Sequence, residues 1–207
     1  MLNALLTSFF AALLQLDNVQ AGQFLLARPA FVGPLLGWLN GCPLEGAKIG
    51  LITELIFMDF MAVGGIVPPN GLVSASVGVL GFSWAGLPES AAFFSGILAG
   101  LLYCGVEARL RSSRSSLTAV VDAEVGRGVI RLGRRLAGAL LTESVVSGLF
   151  IFFFAGALAA AAVLSSRLYL GTLFSSMDLA YSLMPWLGLS GLYFRFRAQI
   201  HKRAANI

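Results

Sequence analysis

Charge is what this chain has least of. Asp, Glu, Lys and Arg make up 12% of its 207 residues against 57% hydrophobic ones, and the mean hydropathy is +0.85. A water-soluble domain carries about 25% charged residues, so a soluble globule is excluded. Histidine occurs once, as His201 in a basic tail, and reads as a solvated residue rather than a phosphoryl acceptor. Cys42 and Cys104 have no CxxC neighbour and no histidine at metal spacing, so they read as two buried thiols, with no metal site and no cofactor expected. There is no P-loop, no GxSxG and no redox motif, so the chain is not expected to be catalytic on its own. The opening MLNALLTSFFAALLQ lacks basic residues ahead of its apolar run, which argues for a first embedded helix rather than a cleaved signal peptide.

What is present is apolar sequence interrupted by Gly and Pro. The length allows roughly six to eight embedded segments of about 20 residues each. Residues 2 to 16 form a short first segment, followed by a polar interlude from Asp17 to Arg28 closed by Pro29. Residues 30 to 40 are too few to cross a bilayer and predict an interfacial or re-entrant piece. Residues 46 to 66 make the first stretch of spanning length. Residues 71 to 88 are rich in small residues, a pattern for close packing or re-entrance, and residues 90 to 106 contain Gly96-x-x-x-Gly100, a weak sign of helix contact. Residues 142 to 165 are a clear span, and Leu168 to Tyr193 form the return, interrupted by Asp178 and Pro185. The fold expected is an all-α polytopic membrane protein whose transmembrane helices include broken or re-entrant segments. One membrane-embedded domain covers 1–207: an N-terminal core (1–106), a basic loop with an amphipathic helix (107–138), and a C-terminal hairpin with a basic tail (139–207).

Eleven of the 14 basic residues fall in two blocks, seven arginines within 107–135 and four basic residues from Arg195 to Arg203. Two crossings separate the blocks, so the positive-inside rule assigns both the loop and the C-terminus to the cytoplasm of a multi-pass protein. Apolar segments flank the loop on both sides, which disfavours nucleic acid and favours the membrane surface. Val121, Val125, Val129, Leu132 and Leu136 predict an amphipathic helix over 118–138, either along the membrane surface or solvated.

Glu54 and Asp59 stand inside the stretch 46–66. An ionisable group at membrane depth is costly and usually faces a cavity or protein interior. Glu54 reads as a hydrogen-bond acceptor for a hydroxylated substrate, as a partner of a cation or proton, or, more blandly, as a carboxylate tied to Arg28, Lys48 or broken-helix N–H groups. Asp59 lies about 140° away around a continuous helix, so the two would not share one pocket. Gly64-Gly65 and Val67-Pro68-Pro69-Asn70 force an extended break, the device by which discontinuous membrane helices build substrate sites; a plain surface loop is the alternative. Asn70 can both donate and accept. Asp178 is a weaker candidate.

The string GQFLLARPAFVGPLLGWLNGCPLEGAKIGLITELIFMDFMAVGGIVPPNGLVSAS resembles the N-terminal signature of the membrane IIC component of mannose/fructose/sorbose-type phosphoenolpyruvate-dependent sugar phosphotransferase systems. Arg28-Pro29, Glu54, Gly64 and Pro68-Pro69-Asn70 stand in the matching order, and the specific part covers residues 17 to 80. The resemblance implies a permease subunit that passes a hexose inward for phosphorylation by a phospho-IIB partner. It also implies a IID-like membrane subunit, soluble IIA and IIB phosphocarriers, an inner-membrane location, and a trimer of IIC–IID pairs. By the same resemblance Glu54 and Asn70 bind sugar hydroxyls, Gln23 sits near them, and Arg28 holds the glutamate or the broken segments. Departures are Leu25, Ala27, Asp59, Ala62 and Asn70, where the family usually has other residues. These lost polar groups motivate a second hypothesis, a regulatory or structural homologue without sugar transport. An ion- or proton-coupled transporter is a third.

Overall fold

Proline and glycine punctuate the N-terminal half, and the helices there are correspondingly short. A computed structural model describes residues 1–19, 24–58, 60, 67–126, 132–166 and 171–204. Among these the chain is all helix: α1 (Leu2–Val19), α2 (Pro29–Leu39), α3 (Pro43–Phe57), α4 (Gly71–Ser83), α5 (Glu89–Gly126), α6 (Leu132–Ser166) and α7 (Gly171–Ala204). Pro29 and Pro43 open α2 and α3 at a position whose N–H has no helical partner anyway. Helices α2, α3 and α4 have 11, 15 and 13 residues. At about 1.5 Å per residue none reaches the roughly 30 Å of a hydrocarbon core. By contrast α5 and α6, with 38 and 35 residues, are long and apolar enough to cross it and to project beyond.

The short helices pair as hairpins. α2 turns into α3 through Asn40–Cys42, where Gly41 takes a left-handed φ of +77°. Gly33 and Gly37 on α2 face Gly46 and Gly50 on α3 so closely that a Cβ on Gly50 would stand 2.9 Å from the Gly33 Cα and overlap the Pro29 carbonyl. α4 and α5 pack the same way: a Cβ on Gly96 would overlap the Ser74 carbonyl, and one on Gly100 would come within 2.6 Å of the Asn70 carbonyl. Lipid supplies no hydrophobic drive between helices, so such close backbone approach is what holds them. The GxxxG expected to be a helix contact is one.

Helix α4 is the centre of the molecule. Every residue from Leu72 to Gly81 is buried, with α1, α2, α3, α5 and α6 around it. Its hydroxyls are satisfied within the helix, Ser74 donating to the Asn70 carbonyl at 3.0 Å and Ser76 to the Leu72 carbonyl at 2.7 Å. Large apolar side chains such as Phe9, Leu101, Phe153 and Trp186 point outward and are exposed. That pattern suits lipid rather than water.

Two expectations meet a different chain path. Residues 46 to 66 do not form one helix: α3 ends at Phe57, and Asp59 and residues 61–66 lie outside the described residues. Residues 118 to 126 continue α5 rather than starting a helix of their own. No Gly or Pro occurs between Val106 and Val125 to stop α5, and Arg111 bonds Glu107 one turn back along it.

Candidate functional site

The approach to Arg28 is shaped by Asp17 at the end of α1. Its carboxylate accepts the backbone N–H groups of Phe24 at 2.8 Å and Leu26 at 2.7 Å, and Leu25 between them has a left-handed φ of +68°. A non-glycine residue there costs about 1 kcal/mol or more, and the grip of Asp17, which also accepts the Ala27 N–H at 3.4 Å, offsets it. Arg28 then stands as the residue before α2, extended (φ −69°, ψ 136°) and making no side-chain cap. Its guanidinium reaches across to α3, where Nη1 donates to Oε1 of Glu54 at 3.3 Å. The reach follows from the glycine packing: Gly50 lies against the Pro29 carbonyl, and Glu54, one turn after Gly50, therefore falls opposite Arg28.

The two carboxylate oxygens of Glu54 differ. Oε1 holds Arg28, whereas Oε2 is buried and accepts no hydrogen bond from any described residue. A buried polar atom left without a partner costs about 1–3 kcal/mol, more for a charged group. The Glu54 side chain is still 22% exposed and that of Arg28 53%, so the pair borders open space rather than sealing a core.

Asn70 stands at the start of α4. Its Oδ1 accepts the Val73 N–H at 3.0 Å, Nδ2 donates to Oε2 of Glu107 at 3.0 Å, and its own N–H donates to the Gly100 carbonyl at 3.2 Å. One Nδ2 hydrogen remains beyond these bonds. The next residue, Gly71, packs on α2 and α3: a Cβ there would lie 2.6 Å from the Pro29 Cγ and 3.5 Å from the Phe57 ring. The N-termini of α2 and α4 and the C-terminal turn of α3 thus meet at one junction, with Arg28, Glu54 and Asn70 around it. Two helix N-termini there add partial positive charge near the Glu54 carboxylate.

Glu107 is 4% exposed and fully engaged, by Asn70 and by Arg111, whose Nη2 donates at 2.6 Å and Nε at 3.2 Å. A buried carboxylate is tolerated in that form, paired and hydrogen-bonded. On α6 the buried Glu143 pairs with Arg114 of α5 at 2.8 Å. A third polar group lies at the opposite end of α5. Glu89 accepts from Lys48 of α3 at 3.3 Å and from the Tyr181 hydroxyl of α7 at 2.8 Å, while Ser90 donates to Asp178. Asp178 is therefore part of a clasp between α5 and α7.

The sequence profile of the family described as PTS system sorbose-specific IIC component matches residues 1–194. The chain belongs to that family. It is accordingly a membrane-embedded sugar transport component of a phosphotransferase system, acting with the other components of such a system. The fold is similar to a solved structure described as "Structure of membrane protein", at TM-score 0.74 and 14% identity, covering 94% of this chain and 78% of that one. No curated protein matches it.

In this IIC chain, then, the predicted residues Arg28 and Glu54 are brought into contact. Asn70 shares their junction through Gly71 but bonds to Glu107 rather than to either of them. Pro68 and Pro69 lie in the non-helical segment 67–70, which is tied to α5 by the Cys104 thiol donating to the Val67 carbonyl at 2.7 Å. Gln23, Gly64 and Gly65 lie outside the described residues. Reading the sequence missed Asp17, Glu107 and Glu143. Glu107 and Arg111 stand four apart and Glu143 sits at the start of an apolar run, so a signal existed, but the arginines around Glu107 made it look solvated.

Proposed function

We propose that this IIC chain is the subunit through which a hexose crosses the membrane to be phosphorylated by a phospho-IIB partner, and that Glu54 receives the sugar. The observation that carries this reading is the second carboxylate oxygen of Glu54: buried, without a described donor, and beside a half-exposed arginine. Adjacent sugar hydroxyls are the donors such an oxygen needs, and a hydrogen bond to a charged group contributes about 1.5–3 kcal/mol. Arg28 holds the carboxylate turned toward the junction. Asn70 offers its remaining Nδ2 hydrogen to a sugar oxygen while it anchors α4, and Gln23 supplies a further polar contact. The non-helical segment that holds Pro68 and Pro69 offers backbone groups to line the path.

Depth supports the same reading. The Asn70 N–H bonds Gly100, eleven residues along α5 from Glu89, or about 17 Å at the α-helical rise. With the Lys48–Glu89–Tyr181 clasp at one interface, the junction falls near the middle of a roughly 30 Å core. The arginine-bearing ends of α5 and α6 then face the cytoplasm, as does the C-terminus, in the inner membrane. There the chain works beside a IID-like subunit and soluble IIA and IIB carriers, in an assembly of three IIC–IID pairs.

Glu54→Gln tests the assignment. Phosphoenolpyruvate-dependent hexose phosphorylation, measured in membranes with the partner subunits, is expected to fall tenfold or more at limiting sugar while the variant inserts normally. Undiminished phosphorylation would refute the role of Glu54. Uptake that ignores phosphoenolpyruvate and collapses with an uncoupler would instead favour proton coupling.

A further inference from the structure

Where α5 and α6 leave their apolar stretches, a cleft of about 510 Å³ opens between them. Its lining includes neither Arg28, Glu54 nor Asn70, so it is separate from the junction described above. Arg114, Arg134 and Arg135 line it with one carboxylate, Glu143, and with Glu124 paired to Arg135 beside the lining, the cleft is one charge positive. Arg114 is paired with Glu143 and Arg135 with Glu124, at 2.8 and 2.6 Å. Arg134 is exposed and has no carboxylate within ion-pair distance among the described residues. Leu110, Leu117 and Ala139 form the apolar part of the same wall.

The geometry points to a binding site for the headgroup of an anionic phospholipid in this cleft, with Arg134 on the phosphate. Three features select that ligand. The site is basic, as a phosphodiester requires. It begins at Glu143, at the start of the α6 apolar run of residues 142–165, and one turn beyond the α5 apolar run of residues 90–106, which is the level lipid headgroups occupy. Leucines share its wall, which suits the glycerol and upper acyl carbons of a lipid and is of no use to a free phosphate ion. A lipid held there would also join the two arms where their own contacts are a few ion pairs.

Native mass spectrometry of the purified full-length chain, with phosphatidylglycerol and phosphatidylcholine offered at equal concentration, reads the site directly. Phosphatidylglycerol is expected to be retained in preference, and Arg134→Gln to weaken its retention about fivefold, the worth of one basic residue at a lipid surface. Ala139→Trp, which fills the cleft and removes no charge, is expected to abolish the preference. Arg109→Gln, an exposed arginine of α5 outside the cleft, is expected to leave it unchanged. Equal retention of the two lipids would overturn the proposal, as would an Arg109→Gln effect equal to that of Arg134→Gln or an Ala139→Trp variant that still prefers phosphatidylglycerol. Displacement of the lipid by soluble glycerol phosphate at like concentration would overturn it too, by assigning the cleft to free phosphate.

Discussion

In the α2–α3 hairpin a Cβ on Gly33, Gly46 or Gly50 would run into the facing backbone, whereas Gly105, Gly126 and Gly138 on α5 and α6 have open space around theirs. The same division holds for charge. Near the hairpins polar groups are few and individually placed: Glu54 on Arg28, Asn70 on Glu107. Along the arms they are numerous, and most are exposed. The inner region is thus specified by backbone contact, which tolerates no added atom, and the arms by ion pairs, which can be exchanged. The sugar site we propose needs the first kind of precision, because its carboxylate must stand opposite its arginine with an oxygen to spare. The arms need only reach past the membrane.

The largest effect expected is at Gly50. Gly50→Val puts side-chain atoms onto the Pro29 carbonyl and the Gly33 Cα, neither of which is a flexible side chain that could swing aside. Overpacking costs typically 1–3 kcal/mol and more where backbone must move. We expect loss of most folded protein in detergent extracts, read by size-exclusion profile and thermal midpoint. Gly138→Val, in open space, should leave both unchanged; equal damage from the two substitutions would erase the distinction between regions.

Glu107→Ala comes next. It removes the partner of Asn70 and Arg111 and loosens the start of α4. Breaking a buried pair costs about 3–5 kcal/mol when both charges are dry. Because Arg111 is partly exposed, about 2 kcal/mol is the expectation, measured as a shift in the unfolding midpoint. The smallest effect belongs to Arg135→Gln, which breaks an exposed pair with Glu124 and should change stability by at most about 0.5 kcal/mol. A larger loss would mean that the arms are more tightly specified than their exposure suggests.

How far these regions can be read from sequence differs for the same reason. Glu54 was legible because a carboxylate in an apolar run has few explanations, and the non-helical segment before Asn70 because two adjacent prolines admit little else. Gly96 and Gly100 announced a contact without naming its partner. Gly33, Gly37, Gly46 and Gly50 carry the same spacing, but a segment of 11 residues reads as interfacial until its neighbour is known. Glu107 was hidden by its company: amid arginines it looks like one more solvated charge, and only the fold brings it to Asn70, 37 positions away. Local pattern shows cost and breakage; it does not show which distant residue relieves the cost.

Whether the buried oxygen of Glu54 receives the sugar is read most directly from the hexose dependence of thermal stability in the complex with the membrane partner subunit. The midpoint is expected to rise with hexose concentration in the native complex and to stay fixed in Glu54→Gln, the two starting from the same value without sugar. A Glu54→Gln complex whose midpoint climbs with hexose as steeply as the native one would contradict that role of Glu54.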